Sequence, residues 1–271
     1  QTTESVPAIV HGGPFANIAQ GTNSIIATEL ALRMAECVVT EAGFGFDLGA
    51  EKYFDIVARY GDFNPRAVVL VATLRALKYH GGVDRDELHL PDSRAAIAGL
   101  ANLRKHYENI AKFNVPCVIA LNRFSSDHQD EIKAVVQAVE DEGMNIAVAD
   151  VFERGGEGGA DLAEKLLGII GDLESRYTPL YDWGLPVEDK IFKVAHEIYG
   201  AVSIDYQPQA KRDLEIIRRH GFSGLPVCIA KTQQSLSDNP GLLGLPKDFI
   251  VTVREIKIAS GAGFLVPVTG E

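Results

Sequence analysis

The chain has 271 residues, 46% of them hydrophobic, which is enough for one large or two modest cores and excludes a disordered segment. Its formal charge of -11 excludes the basic face that nucleic acid or an anionic membrane surface would require. No apolar run approaches the ~20 residues of a membrane span, and no signal peptide opens the chain. The three cysteines, Cys37, Cys117 and Cys228, are far apart and lie in or beside apolar runs, as buried free thiols of a cytoplasmic protein do. The chain opens at Gln1 and not at Met, as a processed chain or a piece of a longer one would.

Taken in chain order, short apolar runs read as strands at 6–10 (VPAIV), 37–42 (CVVTEA), 67–74 (AVVLVATL), 115–122 (VPCVIALN), 145–152 (NIAVADVF) and 225–231 (LPVCIAK). Runs apolar on both faces suit a parallel sheet covered by helices. The intervening segments at 22–36, 93–113, 127–142 and 159–173 supply those helices. The first has a Thr-Asn-Ser start suited to capping and apolar positions at Ile25, Ile26, Leu30 and Met34. After about residue 175, Tyr177, Pro179, Tyr181, Trp183, Gly184 and Pro186 mark a loop before helices near 187–199 and 208–219. The final stretch alternates apolar and polar residues around SGAG and predicts a closing β-hairpin. The expected fold is therefore α/β, with a mostly parallel sheet flanked by helices over 1–175 and a smaller α+β subdomain ending in the hairpin over 176–271.

Three loops follow strands and carry chemistry. The first, His11 to Gly21, combines glycines with His11, Asn17 and Gln20; it is either an anion-cradling loop or a tight turn. The second, Glu41-Ala-Gly-Phe44-Gly-Phe46-Asp47-Leu-Gly-Ala-Glu51-Lys52, places three carboxylates, one lysine and two aromatics where open α/β sheets bind ligands. Phe44 and Phe46 fit a ligand wall or a core plug. The third is a pair of strand ends, one with Asn122 and Phe124 and one with Phe152 before the glycines of 155–159. P-loop nucleotide-binding folds hold a purine on an Asn-containing loop followed by a small-residue loop in this order. Asn122 offers donor and acceptor to a heterocycle edge, and Phe124 and Phe152 offer faces for stacking. A turn cap and two core aromatics are the plainer alternative. His80 and His196 lack a base or metal partner at fixed spacing and read as structural, Trp183 as packing, and Lys231 to Ser235 as a polar loop. No Gly-x-x-x-x-Gly-Lys-Ser/Thr segment occurs, so the chain carries no phosphate-cradling P-loop of its own.

Together HGGPFANIAQGTNS (11–24), VVTEAGFGFDLGAEKYFD (38–55), VVLVATLRALKYHGG (68–82), GGEGG (155–159), AKTQQSLSD (230–238) and IVTVREIKIASGAGFLVPVTG (250–270) closely resemble formate-tetrahydrofolate ligase. The resemblance spans this whole chain but only the carboxyl-terminal half of the family's length. It implies a P-loop NTPase-like core lacking its P-loop segment. The implied reaction has ATP phosphorylate formate, after which N10 of tetrahydrofolate attacks the formyl phosphate. It further implies Mg2+, a monovalent cation, a homotetramer and an amino-terminal half that grips the phosphates. By the family's pattern Phe44 lies near the formyl phosphate and folate, and Phe124 and Phe152 flank the pterin or adenine ring. Asn122 is a further candidate for ligand contact, and Glu41, Asp47 and Lys52 are candidate polar groups lining the same crevice. No general base or metal ligand is assigned. Phe152 stands where tryptophan is common, Ser125 where proline often follows the phenylalanine, and Gln20-Gly21-Thr22 where His-Gly-Cys is frequent. A non-catalytic pteridine- or purine-binding module, or an assembly subunit, is the alternative reading.

Overall fold

The computed structural model describes residues 1–10, 12, 15–171 and 176–270. His11, Gly13 and Pro14 of the first glycine loop, and the end of the helix expected to reach 173, lie outside the described residues. The chain forms two compact units that interleave in sequence. One comprises Gln1–Ala8, Pro65–Tyr177 and Leu243–Leu245, the other Ile9–Asn64, Thr178–Leu242 and Pro246–Glu271.

The first unit is built on a parallel sheet of β1 (Val68–Ala72), β2 (Cys117–Asn122) and β3 (Ile146–Ala149), in that spatial order. Ala72 pairs with Leu121 and Asn122 with Ala149, so the three strands end close to one level. Central β2 is buried along its length except at Asn122, which explains why its sequence is apolar on both faces. Leu74, Leu77, Leu100, Ile119, Leu121, Val135 and Ile146 form the core between this sheet and its helices. The expected helix over 93–113 is broken at Gly99 into Ser93–Ala98 and Leu100–Ala111. Gln129–Asp141 and Ala160–Ile170 match the helices expected over 127–142 and 159–173 within their described parts. No helix among the described residues is long and apolar enough to cross a membrane.

The second unit holds a mixed sheet in which β4 (Ser203–Tyr206) runs parallel to β5 (Ile250–Ala259), and β5 turns back antiparallel into β6 (Phe264–Thr269). The terminal hairpin is thus present, with Gly263 in the left-handed conformation at its turn. A register irregularity lies between Val253 and Glu255. Just beyond it, Asp213 from the helix Pro208–Arg219 accepts the Ile256 N–H at 2.8 Å, tying that helix to the sheet. The helix starting at Phe46 is wound irregularly, with π turns at Phe46–Ala50 and Tyr53–Val57 before a last turn at Ala58–Tyr60. A third π turn, Ala195–Tyr199, continues the helix Val187–Val194. Such turns are rare and concentrate at functional sites.

Three expected strands differ. Residues 6–10 and 37–42 are not strands, and Val10 and Val39 are 88% and 84% exposed; a β-branched run becomes a strand only where a partner supplies the ladder, and here only an isolated Thr22–Ala42 bridge forms. For the same reason Cys37 is exposed, against the expectation that all three thiols are buried. Residues 225–231 run beside β6 through bridges at Val227 and Ala230, with the Cys228 and Ala230 amides donating to Leu265 and Pro267. β4 was not expected, because SIDY is short and half polar.

Candidate functional site

In the first unit the carboxyl ends of the parallel strands form a shelf. β2 ends at Asn122, and the Arg123 N–H then donates to Ala149 O at 2.9 Å, holding the two strand ends together. Phe124 is 37% exposed, and its N–H is held by the Asp127 carboxylate at 2.9 Å. The Arg123 guanidinium pairs with Asp150 at 2.7 Å, joining the loop after β2 to the loop after β3. Phe152 stands 89% exposed in the short helix Val151–Arg154, where a core plug is ruled out. Among the glycines that follow, Gly158 is needed sterically. A Cβ on Gly158 would come within 2.1 Å of the Asp150 carbonyl, and the Gly158 carbonyl accepts the Asp150 N–H at 3.0 Å. Asn122, Phe124 and Phe152 thus lie on neighbouring strand ends of one unit.

Phe44, Glu41, Asp47 and Lys52 belong to the second unit. The two glycine loops are knitted together there: Gly43 N–H donates to Gly21 O at 2.9 Å, and Thr22 Oγ1 donates to Glu41 O at 2.9 Å. Gly49 lies so close under the loop that a Cβ would come within 2.2 Å of Gly43 O. Between Gly43 and Gly45, Phe44 takes the left-handed backbone (φ 59), a strained state for a bulky residue that is characteristic of functional sites. Its ring is half exposed and stacks on Phe15 with centroids 6.3 Å apart. Phe46 packs inward against Phe54 and is a core residue. Glu41 is exposed.

Asp47 and Lys52 are buried. Lys52 Nζ donates to Ala16 O, so this lysine anchors the first glycine loop to the helix that follows the second. Asp47 pairs at 2.7 Å with Lys231, whose side chain is wholly buried and also donates to the Thr232 and Ser235 carbonyls. The Lys231 ammonium lies 5.0 Å from the Tyr199 ring centroid. Behind this pair, Glu51 and Asp55 are fully buried one helical turn apart. Burial, and then the neighbouring Asp55, push the Glu51 carboxyl well above the usual range. Asp55 is pushed up to about 7 by burial, against the pull of the Leu180 N–H that it accepts at 2.7 Å. Trp183 packs under the Arg59 guanidinium and donates to Asp55 O at 3.0 Å. His80 and His196 engage Gly244 N–H and Ala201 O, as structural histidines do. Burial pushes the Cys117 thiol up to about 12 and Cys228 up to about 11, so neither is a nucleophile at neutral pH.

The buried Lys231–Asp47 pair and the Glu51–Asp55 carboxyls were not anticipated from sequence. Lys231 carried only the weak signal of a polar loop after an apolar run.

A family model described as formate-tetrahydrofolate ligase matches residues 1–271. The chain is similar to the formate-tetrahydrofolate ligase of Syntrophus aciditrophicus (strain SB), at 71% identity over 271 residues that cover 100% of this chain and 48% of that protein. It therefore spans about half the length of the curated relative it matches.

Proposed function

Because the chain belongs to the formate-tetrahydrofolate ligase family, we propose that it is the carboxyl-terminal part of an enzyme joining formate to tetrahydrofolate in one-carbon metabolism. In this reading a formate oxygen attacks the γ-phosphorus of ATP and ADP leaves. N10 of tetrahydrofolate then attacks the formyl carbon, the C–O bond to phosphate breaks, and N10 loses its proton to give 10-formyltetrahydrofolate. Activation is needed because oxide is a poor leaving group and phosphate a far better one. Among the described residues no three His, Cys, Asp or Glu side chains gather to hold a metal ion. Mg2+ and a monovalent cation belong to this reading, and the phosphate-gripping lysine is assigned to an amino-terminal half. Assembly as a cytoplasmic homotetramer belongs to the same reading.

This chain supplies the ring side of the site within the 1–175 portion, with 176–271 as its carboxyl-terminal subdomain. The observation carrying this view is the exposed aromatic shelf at the sheet's carboxyl edge, with Asn122 between paired strands and Phe152 standing 89% exposed. A solvent-facing phenylalanine there is not a core residue of this chain and offers a face to a pteridine or adenine. Phe44, held in its strained loop, is assigned to the formyl phosphate and folate, with Glu41 as an exposed polar neighbour. Asp47 and Lys52 serve the same loop from beneath, since their charged ends are spent on Lys231 and Ala16.

Formate-dependent ADP release with tetrahydrofolate, measured for this chain alone and mixed with an amino-terminal half, tests the reading. Activity is expected only from the mixture. A mixture that binds folate and stays inactive would hand the case to the non-catalytic binding module, and activity of this chain alone would overturn its dependence on the other half. Phe152→Ala is expected to weaken ring binding by about 1 kcal/mol or more, the size of a lost stacking contact, in a titration with tetrahydrofolate or ADP. Unchanged affinity for both would remove Phe152 from the site.

A further inference from the structure

The shelf carries one cation, Arg75, that forms no ion pair among the described residues. β1 ends at Ala72, and Thr73 caps the next helix, Leu74–His80, by accepting the Ala76 N–H at 3.1 Å. Arg75 follows at the second helical position. A cation there meets the positive end of the helix dipole, and the first turn contains no acidic residue to offset it. Its neighbours are compensated: Arg123 pairs with Asp150 at 2.7 Å and Arg154 reaches Glu157 at 4.0 Å. No carboxylate among the described residues pairs with Arg75, which is exposed. Its guanidinium lies 5.2 Å from the Phe124 ring centroid, and Nη2 donates to Ser126 Oγ at 3.2 Å. The group is thus aimed along the ring shelf, with most of its N–H donors unused. In a chain of net charge -11, an anionic ligand needs such a local cation to dock.

We propose that Arg75 is a specificity-determining residue, its guanidinium binding the anionic appendage, carboxylate or phosphate, of the ring ligand that stacks at Phe124. The proposal rests on the ring-binding reading above. The guanidinium against one side of Phe124 leaves another for the ligand's ring, and the planar N–H fork suits two oxygens of one anion. Ser126 keeps the fork in place.

The test uses the full-length protein, unaltered and with Arg75→Met or Arg75→Lys, and titrates two ring pairs that differ by their charged part. One pair is 6-methyltetrahydropterin against tetrahydrofolate, the other adenosine against ADP. Arg75→Met is expected to weaken the charged member of one pair by about tenfold, as loss of a charge-assisted hydrogen bond implies, with its uncharged partner changed less than twofold. Arg75→Lys should retain part of that affinity, and the pair that responds identifies the anion as carboxylate or phosphate. Equal weakening of charged and uncharged members would make Arg75 a mere support for Phe124, and no change would remove it from the site; either overturns this proposal alone. Failure of the unaltered protein to bind any of the four would overturn the ligase reading and this proposal with it.

Discussion

Lys231→Met is expected to cost about 3–5 kcal/mol of unfolding free energy, the loss typical of breaking a buried ion pair from one side. The lysine side chain is 0% exposed and that of Asp47 7%, so water cannot replace the ammonium that Asp47 loses. Methionine fills much the same volume, which separates the charge effect from a cavity effect. Asp47→Asn should cost less, because Lys231 keeps the Thr232 and Ser235 carbonyls as acceptors. The double replacement should recover most of the stability lost by Lys231→Met, since buried ion pairs can often be exchanged for neutral groups with little loss. Denaturant titration of the three variants gives the cycle. Additive losses, within about 0.5 kcal/mol, would mean that the pair is not coupled and would sink the argument. Asp47 is three residues beyond Phe44, so the variants should also loosen the strained loop. Increased proteolytic nicking around Gly43 to Gly45 would report it.

How much of this was visible beforehand follows from which contacts are local. β2 is legible because a strand covered on both faces must be apolar at consecutive positions, and β1 and β3 because they carry apolar runs of the same kind beside it. The hairpin was legible because β5 and β6 alternate on either side of a glycine turn. Residues 6–10 and 37–42 have the same composition as true strands. Their exposure at Val10 and Val39 depends on long-range pairing, which composition does not encode. The site splits in the same way. Glycine-rich loops and strand-end aromatics announce themselves, and Phe124, Phe152 and Phe44 all prove accessible. Lys231 and Asp47 meet across most of the chain, and no periodicity marks such a pair. Glu51 reads from sequence as one of three carboxylates on a ligand loop and Asp55 carries no signal, because their burial depends on the π-wound helix, with turns at Phe46–Ala50 and Tyr53–Val57, packing inside its unit. Arg75 carries no signal in the sequence, because its nearness to Phe124 depends on the parallel pairing of β1 with β2.

The buried carboxyls should make stability fall as pH rises through neutrality. Both Glu51 oxygens and Asp55 Oδ2 lie buried without a hydrogen-bond donor, so two carboxylates there would repel in a medium that screens poorly. One proton shared between them relieves this, and the pair titrates as a unit. The sign follows from proton counting. Asp55 has an ordinary value near 3.8 when unfolded and about 7 when folded. Between those values the folded chain holds the extra proton of Asp55, so the stability that this proton adds is full below the first and gone above the second, while Glu51, also held well above its usual range, adds a loss of the same sign. The slope is about 1.4 kcal/mol per pH unit for one proton. The general relief of self-repulsion in an acidic chain tilts stability the same way, so the informative quantity is a difference between variants. Asp55→Asn keeps an oxygen for the Leu180 N–H and offers an amide to Glu51, and it should flatten the dependence between about pH 5 and pH 8. Trp183 is the single tryptophan of the chain and bonds to the Asp55 backbone, so its fluorescence reports unfolding at this spot. An Asp55→Asn protein with the slope of the unaltered one would show that the carboxyls do not hold a shared proton. A flattened slope would show that the helix beneath Phe44 is held together most firmly on the acid side of neutrality.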